Sequence, residues 1–77
     1  MSKHSLDVKG QLCPIPVIRT QNQVKRLAPG DILAVVCTDP GVQQDIPAWC
    51  RINGHRVIET EILDSGEIVI TLEVGNK

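Results

Sequence analysis

The sequence predicts an α/β (α+β) two-layer sandwich: a four-stranded mixed sheet with two helices on one face, in the order β-α-β-α-β-β. Three observations carry this prediction. Two segments with helical spacing of apolar residues alternate with short runs rich in Val, Ile and Leu. The last two such runs are joined by Asp64-Ser65-Gly66, residues suited to a hairpin turn. At 77 residues the chain reads as one domain, 1–77. A domain of that size is too small to cover both faces of a sheet, and folding buries only roughly 60% of its unfolded surface.

Leu6 and Val8 alternate with Asp7 and Lys9, a short strand that ends at Gly10. After Cys13-Pro14-Ile15-Pro16 a helical pattern follows. It sets Val17, Ile18, Val24, Leu27 and Ala28 on one face and Arg19, Asn22, Gln23, Lys25 and Arg26 on the other. Pro29-Gly30 stops it. Ile32 to Val36 is continuously apolar, as expected of a strand buried inside a sheet.

Asp39 and Pro40 read as the N-cap and first residue of a second helix, whose apolar stripe is Val42, Ile46, Trp49 and Cys50. Asn53-Gly54 ends it. Pro47 interrupts the pattern and leaves two readings open: a helix kinked there, or a loose first turn leading to a helix capped by Asp45. Val57 to Leu63 and Ile68 to Val74 form the hairpin strands. Right-handed crossovers make the earlier strands parallel, and the hairpin adds an antiparallel one.

Composition is that of a globular chain, 42% hydrophobic and 22% charged, with Trp49 as the lone aromatic. The core must therefore be aliphatic. A net charge of −1 provides no basic field for nucleic acid or anionic membrane. No apolar run is long enough to span a bilayer, and Met1 to Ser5 is too short and polar for a signal peptide. A cytoplasmic location is the expectation. Three cysteines at uneven spacing argue against a disulfide framework and agree with a reducing compartment.

Cys13 carries the chemistry. It lies where a strand leads into a helix, and with Pro14 at the first helical position it falls at the N-cap. The positive helix end, with Lys9 and Arg19 nearby, favours thiolate. Pro14 and Pro16 remove two backbone donors and leave mainly the N–H groups of Ile15 and Val17, so the expected depression of the thiol pKa is moderate. A pKa near ambient pH suits thiol exchange. The position where a thioredoxin-type motif has its second cysteine is Pro16, so no local thiol would expel a sulfur bound to Cys13. That favours storage and hand-over of sulfur over electron transfer.

Other residues read more simply. Cys50 and Cys37 read as buried core thiols, Trp49 as core, and His4 and His55 as surface. Asp39 and Asp45 read as helix caps. No metal site is expected, because Cys13, Cys37, Cys50, His4 and His55 lack ligand spacing. Arg19, Lys25 and Arg26 make a polar helix face where an acidic partner could dock.

Leu6 to Pro16, with its Cys-Pro-x-Pro run, resembles the N-terminal signature of the TusA/SirA family of sulfur carrier proteins. Pro29-Gly30-Asp31 and the stretch from Asp39-Pro40 through Asp45-Ile46-Pro47 to Cys50 are similar to its second block. The resemblance implies that Cys13 accepts sulfane sulfur as a persulfide from a cysteine desulfurase or another donor and passes it to an acceptor protein. The end use would be tRNA thiolation, sulfur oxidation or molybdenum-cofactor synthesis. Gly10, Lys9, Pro14 and Pro16 would position the thiol, and no cofactor is implied. Lys9 stands where the family often has Arg, and Ile15 where some members have an acidic residue. A monomer working with partner proteins is the expectation. Two other readings are a redox-sensing module that uses Cys13 and an RNA-binding module; the net charge and the scarcity of aromatics weigh against the second.

Overall fold

Six elements follow in order: β1 (Lys3–Asp7), α1 (Ile15–Val24), β2 (Ile32–Cys37), α2 (Val42–Asn53), β3 (Arg56–Ile62) and β4 (Ile68–Glu73). They come from a computed structural model describing residues 2–75. The sheet order is β1-β2-β4-β3. β1 pairs parallel with β2, and β4 runs antiparallel between β2 and β3. The predicted two-layer mixed sheet is therefore present, with the hairpin strand β4 inserted at the centre.

Side-chain alternation defines the layers. Leu33, Val35 and Cys37 of β2 and Ile68, Ile70 and Leu72 of β4 are buried. Together with Val24 of α1 and Val42, Ile46 and Cys50 of α2 they form the core. The run Ile32–Val36 is not buried throughout, as its apolar continuity suggests. Ile32, Ala34 and Val36 are only half-buried, because among the described residues the two helices cover one face of the sheet alone.

Helix α1 is shorter and rotated relative to the sequence reading. Its buried positions are Pro16, Thr20 and Val24, four residues apart, whereas Ile18 is 49% exposed and Ala28 is exposed. A threonine can occupy the buried line because its hydroxyl donates to the Pro16 carbonyl at 2.8 Å. A hydropathy stripe has no means of seeing that internal satisfaction. Helix α2 continues unbroken through Pro47, which excludes a separate helix capped by Asp45. Asp39 is not its N-cap; Gly41 is. The N–H groups of Val42, Gln43 and Gln44 reach back three residues to Asp39, Pro40 and Gly41, so a tight turn precedes the helix.

The far end of α2 closes with Gly54 at φ +81° and the His55 N–H on the Cys50 carbonyl, 2.8 Å, a Schellman stop. His55 is buried rather than on the surface: its ring stacks on Trp49 with centroids 4.9 Å apart, and its Nδ1 accepts the Gly75 N–H at 3.0 Å. Trp49 is itself only partly buried against the core. A Cβ at Gly75 would run into the Gly54 carbonyl oxygen. Gly75→Ala is therefore expected to destabilise the fold by about 1–3 kcal/mol, as forced overpacking does. Urea unfolding tests this; an unchanged midpoint would mean the two glycines do not meet.

Candidate functional site

The loop between β1 and α1 is tied down along its length. The Val8 N–H donates to the Val36 carbonyl at 2.8 Å, extending β1 along β2, and Val8 is fully buried. Gly10, at φ +78°, donates its N–H to Thr38 Oγ1 at 2.9 Å just past the end of β2. That left-handed turn is the positional reason for a glycine there. The Cys13 N–H then donates to Asp39 Oδ2 at 2.9 Å, while Asp39 Oδ1 accepts the Gly41 N–H at 3.0 Å. One carboxylate thus joins the loop to the turn that begins α2. These two N–H donors, Cys13 first, hold the Asp39 carboxyl below the usual carboxylate range.

Cys13 is exposed and unbonded to another cysteine. Its position and charge differ from the sequence reading in two ways. The N-cap of α1 is Pro14, so Cys13 lies one residue outside the helix; the Cys13–Pro14 peptide is cis. The Ile15 N–H, which should have faced the sulfur, is spent on the Leu12 carbonyl at 3.0 Å. Instead of backbone donors the thiol finds an acceptor: its S–H donates to Asp45 Oδ2 at 2.7 Å. That hydrogen bond, some desolvation, and the negative charges of Asp45 and then Asp39 push the Cys13 pKa up rather than down.

Among the described residues, the cations expected beside the sulfur are placed elsewhere. Lys9 Nζ sits 3.8 Å from Asp7 and 3.9 Å from Glu67. Arg19 and Arg26 line a groove of about 220 Å³ with Leu6, Asn22 and Gln23. Lys25 lies elsewhere, in a second groove of about 180 Å³ with Gln21, Val24, Trp49, Asn53 and His55. The three cations therefore do not make one face. Counting the helical rise from Ile15, Lys25 and Arg26 are about 15 Å along the axis from the Cys13 end. Beside the two carboxylates, the chain next to Cys13 exposes apolar side chains: Leu12, Ile15 and Ile18 are 72%, 47% and 49% exposed.

Cys37 and Cys50 are buried, as read from the sequence. Burial raises both thiol pKa values, that of Cys50 to about 11. The Cys37 S–H donates to the Ile68 carbonyl at 3.6 Å. His4 is half-buried rather than free on the surface, its Nε2 3.7 Å from Asp31. Among the described residues no three His, Cys, Asp or Glu side chains gather to hold a metal. Asp39 and Asp45 are the site residues that sequence reasoning assigned elsewhere. They stand 26 and 32 positions from Cys13, and local capping rules account for acidic residues at a helix start without reference to a distant thiol.

The family model described as Sulfurtransferase TusA matches residues 4–74. The chain is 45% identical over 56 residues to the sulfur carrier protein TusA of Pseudomonas aeruginosa, covering 73% of this chain and 71% of that one. A putative sulfur carrier protein of Neisseria meningitidis is 36% identical over 77 residues, the full length of both. One of Bacillus subtilis is 41% identical over 64 residues, 83% of each chain. Among solved structures, the SirA-like protein of Desulfitobacterium hafniense superposes with a TM-score of 0.85 at 28% identity, covering 95% of this chain and 99% of that one. A fold shared at that level, a match over almost the whole sequence and relatives of this identity lead to one conclusion: the chain belongs to the sulfurtransferase TusA family.

Proposed function

We propose that the protein is a sulfur carrier of 77 residues acting as one domain, with Cys13 as the atom that accepts and releases sulfane sulfur. The observation that carries this is an exposed thiol on a loop anchored at Gly10 and at the Cys13 N–H itself, in a chain of the TusA family. Pro14 stiffens the loop where it enters α1, Pro16 is buried in the first turn of that helix, and Gly10 sets the loop's turn. Lys9 contributes by bridging Asp7 and Glu67 rather than by charging the sulfur.

In the forward step Cys13 Sγ attacks the outer sulfur of a donor persulfide, such as that of a cysteine desulfurase. A new S–S bond forms at Cys13, and the donor's own S–S bond breaks with its electron pair on the donor sulfur. The proton from Cys13 ends on that sulfur, so no net oxidation or reduction occurs. In the return step an acceptor thiol attacks the same outer sulfur, and Cys13 leaves as the thiol. No cofactor enters either step. The exposed Leu12, Ile15 and Ile18 form the apolar part of the docking surface, and Arg19 and Arg26 attract an acidic region of the partner. The protein works in the cytoplasm, as a monomer between partners, toward tRNA thiolation or another sulfur pathway. A peroxide-sensing role needs a thiolate at neutral pH; a thiol held by Asp45 favours the carrier reading.

Intact mass after incubation with a cysteine desulfurase and cysteine tests the reading. The expected result is one added sulfur, retained in Cys50→Ser and lost in Cys13→Ser. Equal uptake by Cys13→Ser would overturn it.

A further inference from the structure

The reactive thiol of this protein is paired with a carboxylate, an arrangement that works against its own nucleophilicity. Thiolate is the attacking form. A negative charge at hydrogen-bond distance disfavours thiolate, and Asp45 Oδ2 lies 2.7 Å from Sγ. Asp39 adds a second negative charge while holding the Cys13 N–H at 2.9 Å. Both carboxylates come from the start of α2 and the turn before it. On the β1 side Lys9 is occupied by Asp7 and Glu67, and on α1 Arg19 is turned into the groove beside Leu6. Among the described residues no contact places a cation beside the two carboxylates at the sulfur, and the raised pKa of Cys13 follows from the same geometry.

We propose that Asp45 is a specificity-determining positioning residue: it holds Cys13 as a hydrogen-bond-donating thiol in the free protein and selects sulfur donors that bring a cation beside their outer sulfur. This rests on Cys13 being the sulfur-accepting atom. A Lys or Arg of the donor, set against Asp45, replaces the S–H as the partner of Oδ2. The thiol then ionises more easily, at the moment its target sulfur is in reach. Before docking, the same contact keeps the exposed thiol quiet toward small oxidants and alkylating agents.

The selection is also orienting. Segment 8–30 contains Lys9, Arg19, Lys25 and Arg26 and no acidic residue, whereas the start of α2 presents Asp39 and Asp45. A partner matching both would carry an acidic region toward α1 and a cationic group toward α2, with its sulfur between them. Rim charges of this kind fix register and suppress wrong partners.

The test uses three small disulfides of similar size on the folded protein: cystamine, bis(2-hydroxyethyl) disulfide and dithiodiglycolate, which are cationic, neutral and anionic. Mixed-disulfide formation at Cys13 is followed by mass. The cystamine-to-dithiodiglycolate rate ratio is expected to fall about fivefold in Asp45→Asn, the effect of one nearby unit charge in a largely aqueous setting. Comparing the ratio between proteins cancels differences in leaving-group chemistry. The neutral disulfide should react faster with Asp45→Asn than with the wild type near pH 7, because more thiolate is present. Glu59→Gln, which removes an exposed acidic residue on β3, at the sheet edge opposite β1, should leave both readings unchanged. Asp45→Ala serves if the asparagine variant folds poorly. An unaltered ratio in a folded Asp45 variant would overturn the proposal, as would slower reaction with the neutral disulfide. Failure of sulfur uptake from a desulfurase would instead remove the carrier reading, and with it the selection of sulfur donors, while the disulfide ratio would still report the Asp45 charge at Cys13.

Discussion

Iodoacetamide is expected to label Cys13 slowly at pH 7, with a rate that climbs about tenfold per pH unit and does not level off near pH 8.5, the ordinary thiol value. Labelling reports the thiolate fraction, and the S–H of Cys13 is held by Asp45 at 2.7 Å. The hydrogen bond to Asp45 is the largest cause of the upward shift, followed by desolvation and the charges of Asp45 and Asp39. The sign for stability follows from linkage. A pKa raised in the folded state means the fold binds this proton more tightly than the unfolded chain does. That contribution is fully present below the ordinary thiol pKa and is lost as pH rises through the raised value. Peptide mapping keeps the measurement specific: Cys50 is buried with a pKa pushed up to about 11, and Cys37 is buried and shifted upward. A labelling rate that reaches its plateau below pH 8 would contradict the Asp45 contact. The same measurement bears on the relay, because thiol exchange is fastest when the attacking thiol's pKa lies near ambient pH. A free-state thiol above that value requires docking to bring it down.

Ile70→Ala is expected to remove a large part of the protein's stability, about 2–5 kcal/mol. Ile70 is fully buried on β4, the strand flanked by β2 and β3, where it lies opposite Val35 and Thr60. Truncation removes aliphatic contacts within the core cluster and leaves a cavity that the rigid sheet cannot close. A chain of 77 residues has roughly 4–12 kcal/mol to lose. The variant should therefore melt more than about 10 °C lower, at about 4–8 °C per kcal/mol for a domain of this size. Ile62→Ala makes the contrast. Ile62 is 62% exposed, and its loss should stay within about 0.5 kcal/mol. Equal effects from the two substitutions in thermal melts would mean that β4 is not the centre of the core.

The element order and the layering were readable from residue patterns because they depend on short-range periodicity. Alternation in β4 marks Ile68, Ile70 and Leu72 as one face, and the spacing of Val42, Ile46 and Cys50 marks the buried line of α2. The buried line of α1 was not readable, because Thr20 hides its hydroxyl on the Pro16 carbonyl and passes for a polar surface residue. His55 was missed for a similar reason: its imidazole is buried by stacking on Trp49 and bonding to Gly75, twenty residues away.

The site divides the same way. Cys13, its flanking prolines and the missing second cysteine are local facts, and they mark Cys13 as the candidate nucleophile and favour a carrier over a redox exchanger. The electrostatics of that nucleophile are not local. A helix-start rule foresees backbone donors and a lowered pKa; the folded chain gives the Ile15 N–H to Leu12 and brings Asp45 across 32 positions to the sulfur. Charge interactions depend on distance in space, and a periodic pattern along the chain holds no record of which distant carboxylate the crossover through β2 places beside the first loop. The sequence therefore pointed to Cys13, and the packing of α2 against the Cys13 loop put Asp45 on its S–H.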